Sequence, residues 1–349
     1  MTRYLGGLIT KDESLVIPSD NYATTSAPGV WTLEEAQMLA KQGLWPTAGV
    51  SAQHVFISGV TSRRALERID LASSGGASDF GEIRSGAGQS GGDISVRAGF
   101  GNGTRGIWSS IADNYGSSTD IEYFTFASTG ASQDFGDATV ATGGGSGLSN
   151  NTRGVTTGLG ATNAMDYVTI ASAGNATDFG DLATASSYGS ACSSTTRGVI
   201  AIGYNGSSYN NDSINYITIA SAGDATDFGN LSQARSFLAS SGSTTRGVFG
   251  GGNNGSTAYN IMDYVTIASA GNATDFGDLT ITNRCNCSGS GSTKAVFARS
   301  NAGSSDAEKS FIDIITVAST GNGADFGDLT YKGTVVTAAA GNATPSQQG

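Results

Sequence analysis

The stretch DYVTIASAGNATDFGDL occupies residues 166–182 and returns at 263–279, and its Asp-Phe-Gly triplet recurs along most of the chain. The triplet begins at Asp79, Asp134, Asp178, Asp227, Asp275 and Asp325, at intervals of 55, 44, 49, 48 and 50 residues. Eleven residues before each Asp stands Arg68, Tyr123, Tyr167, Tyr216, Tyr264 or Ile314, a spacing that never changes. Seventeen residues after the motif glycine comes a basic residue, as in Gly136 to Arg153, Gly180 to Arg197, Gly229 to Arg246 and Gly277 to Lys294. Gly81 to Arg105 is 24 and marks an insertion of seven. The unit from Gly229 to Gly277 reads as four short strands: SQARSFLASSGS (232–243), TRGVFGGG (245–252), NIMDYVTIAS (260–269) and TDFGDLT (274–280). β-Branched and aromatic residues favour the strands, and Gly and Asn between the last two mark a turn. Four strands in each of six repeats of this length predict an all-β, six-bladed β-propeller.

The unit resembles a divergent kelch repeat over residues 44–344. Gly250-Gly251 ends the second strand, Tyr264 is the third-strand aromatic, and Thr274 to Leu279 opens the fourth, with Phe where kelch has Trp. The resemblance implies four-stranded blades closed into a ring. The ends of the repeat predict how it closes. HVFISG (54–59) matches a second strand with no first strand before it, and the chain end offers TVVTAAA (334–340) after the last triplet. LWPTAGV (44–50) competes for that place, but Pro46 lacks the N–H that an inner strand needs. The expected propeller therefore spans 44–349 and is closed by strand 334–340, which removes an open sheet edge.

Composition narrows the function classes. The chain has 349 residues, 52 Gly but 4 Pro, and 18 basic against 29 acidic residues, a net charge of −11. An acidic chain without a basic stripe argues against nucleic-acid binding. Sparse charge argues against disorder. There is no apolar run of membrane-spanning length, and MTRYLGGLITKDESL has no apolar core of a secretory signal. With His54 as the lone histidine, mechanisms built on a histidine pair are gone. Cys192, Cys285 and Cys287 read as small strand residues, because Cys285 and Cys287 are too close to bridge and no His completes a zinc site.

Residues 1–43 do not repeat and read as a separate module. Thr32 and Glu35 form a capping box that opens a short helix over 32–42, with Gly43 as its stop and Pro46 beyond. Leu33, Ala36, Leu39 and Ala40 share its apolar face, and Trp31 and Trp45 bracket it. The module is either a plug on the propeller or an anchor, with Trp31, Leu33, Leu39 and Trp45 as its contacts. GVWTLEEAQMLAKQGLWP (29–46), behind MTRYLGGLITK, resembles the N-terminal region of bacteriophage virion proteins, especially of marine and cyanobacterial phages. The repeats resemble the kelch-like units of such proteins. This resemblance implies a virion component of tail, fibre or capsid surface, present in multiple copies. Its partners would be other virion proteins through the N-terminal segment, and a host-surface glycan or protein.

The chemistry points to binding rather than catalysis. A kinase uses Asp-Phe-Gly once; six copies at blade spacing make its Phe a core wedge and its Gly a turn residue. Glu82, Asp137, Asp181, Asp278 and Asp328, with Asn230, follow the motif glycine and could ring a cation or cap their own turns. Because the motif Asp and the repeated Arg recur in step, hydrogen bonds between them across blades are expected, with no metal and no cofactor. Asn-Ala-Thr at Asn175 and Asn272 reads as a turn. Between the basic position and the third-strand aromatic the counts are 15, 18, 14, 19, 18 and 20, taking Gln53 as the first basic position. Length that varies in one connection marks one loop face, and loops on a rigid scaffold carry binding. Tyr115, Tyr204, Tyr209, Asn253, Asn254 and Tyr259 are the candidate contacts, Tyr and Asn offering ring faces and amides to a sugar or flat protein partner. The expected function is a non-enzymatic virion structural protein. A polysaccharide-degrading tail enzyme and a purely architectural cement protein are the rivals.

Overall fold

The computed structural model describes residues 54–60, 65–73, 76–83, 94–95, 98–109, 111–113, 118–142, 145–158, 162–282, 287–300, 310–330 and 335–341. The expected N-terminal module, with Trp31, Leu33, Leu39 and Trp45, and the rival strand at 44–50 lie outside these residues. The described chain is all-β, a six-bladed propeller of four-stranded antiparallel blades. Blade three, Ser146–Ser149, Arg153–Thr157, Ala164–Thr169 and Thr177–Asp181, sets the pattern. Blades four and five repeat it from Ser190–Ser193 to Thr226–Asn230 and from Ala239–Gly242 to Thr274–Asp278. Blade two runs from Ala98–Gly101 to Gln133–Thr142, and blade six from Cys287–Ser290 to Ala324–Gly327. In blade one the first strand is Val335–Gly341, paired antiparallel with His54–Val60, so the two ends of the repeat share one sheet.

The Asp-Phe-Gly triplet is a β-bulge. In blade three Met165 faces Gly180 and Asp166 faces Asp178, so Phe179 is the extra residue of its strand. The same shift recurs in all six blades. The bulge turns the Phe inward, and Phe179, Phe228 and Phe276 are each only 2% exposed. It also puts the glycine in mid-strand rather than in a turn, a correction to the sequence reading. Gly180 has φ +129°, and a Cβ there would lie 2.6 Å from the backbone of Gly223 in the next blade. That close approach makes the seam: the freed Phe179 carbonyl accepts from Gly223 N at 2.6 Å. One residue further on, Glu82, Asp137, Asp181, Asn230, Asp278 and Asp328 each offer a backbone carbonyl to the next blade, at Ser132, Ala176, Ala225, Ala273, Gly323 and Ala77. The last of these bonds, at 2.9 Å, joins blade six to blade one and closes the ring.

The four seams from blade two to blade six each have two further ties. Arg105, Arg153, Arg197 and Arg246 lie over the tyrosines of their own blades, Tyr123, Tyr167, Tyr216 and Tyr264, at 4.2–4.6 Å. Their guanidinium groups donate to backbone carbonyls of the next blade, as Arg105 does to Ile170 and Ala171 at 3.2 and 3.0 Å. The expected interblade bond thus forms, but its acceptor is a backbone carbonyl of the next blade and not the motif Asp. In blade one the basic position is filled by His54 and not Gln53: His54 faces Asp70 as Arg153 faces Thr169. The second tie is a buried polar residue on each third strand. Asp166, Asn215, Asp263, Asp313 and Glu67 accept from Thr139, Ala183, Ser232, Thr280 and Thr330, which follow the preceding blade. Thr139, Ser232, Thr280 and Thr330 give both backbone N–H and hydroxyl to a carboxylate. Ala183 has no hydroxyl, and its partner is the amide Asn215.

The first strands touch in cyclic order around the axis. They are built from small residues, and Ser149, Ser190, Ser193, Ser240 and Ser288 are fully buried there. Ser149, Ser193 and Ser288 donate to carbonyls of the neighbouring first strand at 2.6–2.7 Å. Buried Cys192 and Cys287 share this environment, which agrees with their reading as small strand residues; Cys285 lies outside the described residues.

Candidate functional site

The second-to-third-strand loops and the fourth-to-first connections meet on one face. The seven-residue insertion lies here, where Ile94–Ser95 pairs with Ala112–Asp113. In blade four, Ser187 and Tyr204 exchange backbone hydrogen bonds at 2.8 and 2.6 Å. In blade five, Ser236 and Asn253 do the same, both at 2.8 Å. The stretch 232–243, read from sequence as one strand, is therefore mostly connection: only Ala239–Gly242 is strand, and Arg235 is buried before it. Arg235 Nη1 meets the Asp263 carboxylate at 2.9 Å, and its other nitrogens reach the Gly251 and Phe249 carbonyls.

Four rings form a column on this face. Tyr188 and Phe237 stack at 4.3 Å, Phe237 and Tyr209 at 5.7 Å, and Tyr209 and Tyr204 at 4.4 Å. Tyr188 and Phe237 hold equivalent places in successive connections, and both have left-handed backbone, φ 56° and 57°. Each such residue costs ~1–3 kcal/mol. Each ring pair returns about 0.5–1.5 kcal/mol. Strain and stacking are thus of one size, and stability alone gives no reason for aromatic residues where Gly would relax the backbone. Phe237 N donates to Tyr188 O at 2.8 Å, joining the two connections. Tyr209, 37% exposed, is held by Ser236 Oγ on its carbonyl at 2.8 Å. A Cβ on Gly255 of the next loop would lie 3.3 Å from the Tyr209 ring.

The structure brings Tyr204 and Tyr209 together and adds Tyr188 and Phe237. It divides the other candidates. Asn254 Nδ2 donates to the Tyr259 hydroxyl at 2.9 Å, and Asn254 Oδ1 accepts from Ser256 and Thr257, so these residues shape the blade-five loop. Asn253 is 4% exposed and serves the backbone bridge, which removes it from the contact surface. Tyr115 lies outside the described residues. Tyr188 had a sequence signal, a ring within the small-residue run SSYGSA (186–191), whereas Phe237 stands between Arg235 and Leu238 and had none.

Reactive groups are quiet elsewhere. Burial pushes the Cys192 thiol up to about 12, which makes it inert as a nucleophile. Burial also raises Asp166, although the Thr139 hydrogen bonds pull the other way. The acids that follow the motif glycine have exposed side chains, and no cluster of three or more metal-ligating side chains occurs among the described residues. Among those residues no helix is long and apolar enough to cross a membrane. Comparison with protein-family models gives no match, and comparison with curated protein sequences gives none.

Proposed function

We propose that the chain is a non-catalytic recognition propeller of a bacteriophage virion, held to the particle by residues 1–43 and presenting its loop face to the host surface. The observation that carries the recognition reading is the column Tyr188–Phe237–Tyr209–Tyr204, two of whose members sit in strained backbone. Strained aromatic residues shared by two successive connections are where a regular scaffold departs from its own rule, and such departures gather at functional sites. The virion assignment rests on the N-terminal and repeat resemblances.

The test replaces Tyr204 and Tyr209 with Ser in phage carrying the full chain. Adsorption should fall about tenfold or more, the loss of one or two good contacts, with melting temperature near that of the parent. Unchanged adsorption would reject recognition by this face. Absence of the protein from purified particles would reject the virion assignment itself.

A further inference from the structure

Blade six breaks the repeat at one place, and a cavity stands there. Grooves lie beneath the third strand and the turn that follows it in blades two and six. In blade two the groove is lined by Tyr123, Thr125, the turn 128–130 and Gln133, and its volume is about 260 Å³. In blade six Ile314, Thr316, the turn 319–321 and Ala324 hold the matching positions, and the volume is about 570 Å³. The difference has a residue-level cause. Tyr123 donates its hydroxyl to Gln133 at 2.5 Å and closes the blade-two groove. Ile314 and Ala324 have neither the ring nor the amide, so the blade-six groove stays open and deepens to Leu71, Phe276 and Phe326. The larger volume lies within the ~300–1,000 Å³ of small-molecule sites; the smaller falls below it.

The cation survives where its ring is lost. In blades two to five the basic residue lies over a tyrosine ring. In blade six Lys294 lines the groove, and its ammonium donates to Leu71 O at 3.3 Å. An ammonium has three hydrogens, and that bond uses one. The groove therefore offers an apolar wall of Ile314, Leu71 and Phe326, a space where blades two to five hold a phenol ring, and a cation beside it.

We propose that this groove binds a small aryl carboxylate, its ring taking the place of the missing tyrosine and its carboxylate meeting Lys294. A ring between an aliphatic wall and a cation gains burial and cation–π attraction, and the carboxylate forms a charge-assisted hydrogen bond. The site is remote in its chemistry from the loop-face column and does not depend on it.

The experiment titrates the full chain with 4-hydroxyphenylacetate, followed by ligand-observed NMR and calorimetry. One saturable site of about millimolar affinity is expected for a ligand of this size. Ile314→Tyr restores the ring found in four other blades and should abolish binding. Ala324→Gln, which rebuilds the blade-two wall, should weaken it about tenfold, as should Lys294→Met. Cyclohexylacetate should bind the parent about tenfold less well. No saturable binding by the parent up to about 10 mM, far above the expected constant, overturns the proposal. So does equal binding by Ile314→Tyr and Ala324→Gln. Equal affinity for cyclohexylacetate overturns the aryl class, and an unaffected Lys294→Met overturns the anion contact.

Discussion

Asn215 stands where other blades carry Asp or Glu, and its partner Ala183 stands where four of the other five units carry Thr or Ser. The two departures belong together. A buried carboxylate needs several donors to remain ionised, and a threonine supplies two where an alanine supplies one. Asn215→Asp should therefore cost about 1–3 kcal/mol, the price of an underpaired buried group. Adding Ala183→Thr should recover most of it, and a double-mutant cycle by denaturant unfolding measures the coupling. Asp166 gives the pH counterpart. Burial raises its folded-state pKa above the unfolded value, so the native state binds its proton first as pH falls. Its contribution to stability is complete below the unfolded pKa and is lost as pH rises through the raised one. Asp166→Asn should flatten that part of the stability profile, read as unfolding midpoints at a series of pH values rising from the ordinary carboxylate range. Neighbouring volumes are exchanged in the same way. Phe100 and Leu148 cover Gly154 and Gly198 of the next blade, and a Cβ would sit 1.9 and 2.5 Å from them. Where the second strand of blade one brings Val55 instead, the facing residue is Gly289.

Among the described connections, the one between blades four and five is the most specialised. Arg235 is fully buried in it, and its guanidinium ties Asp263 to the carbonyls of Gly251 and Phe249. Two residues later Phe237 takes left-handed backbone and enters the ring column. Arg235→Met would leave Asp263 with its Ser232 bonds and no countercharge. The expected loss is about 3–5 kcal/mol in unfolding free energy, as for a buried pair broken on one side. A loss under about 1 kcal/mol, the value of an exposed pair, would show that water replaces the arginine. Loop-length variation in the sequence pointed to this face, because the second-to-third-strand loops drift and the insertion before Arg105 falls on the same side. It could not distinguish Tyr209, which reaches the surface, from Asn253, which is buried in a bridge between two connections.

For the molecule as a whole, closure joins residues far apart in sequence. Val335–Gly341 pairs with His54–Val60, Asp328 O accepts from Ala77 N, and Thr330 bonds Glu67. Truncation after Thr330 keeps the last two of these and removes the first strand of blade one. That leaves an unpaired inner edge and should cost several kcal/mol of the ~5–15 that hold a domain. Denaturant midpoints compare the two forms, and an unchanged midpoint would mean that the ring holds without its closing strand.

The sequence by itself determined the blade, the number of blades and the strand that completes the first one. Those properties follow from a period, from β-forming residues and from the mismatch between the two ends of the repeat. It also carried the pairing of Ala183 with Asn215 in plain letters, although the spacing of about thirty residues hides it within a repeat of about fifty. Only the tertiary structure decided what the repeated residues do. The triplet is a bulge, because its carbonyl must leave one ladder to join the next blade. The arginine bonds a backbone carbonyl of the next blade rather than the motif acid, a partner that only the packing of blade on blade selects. The column of Tyr188, Phe237, Tyr209 and Tyr204 exists because two connections and one loop, separate along the chain, are brought to one edge of the ring, and stacking depends on that distance and angle rather than on sequence spacing.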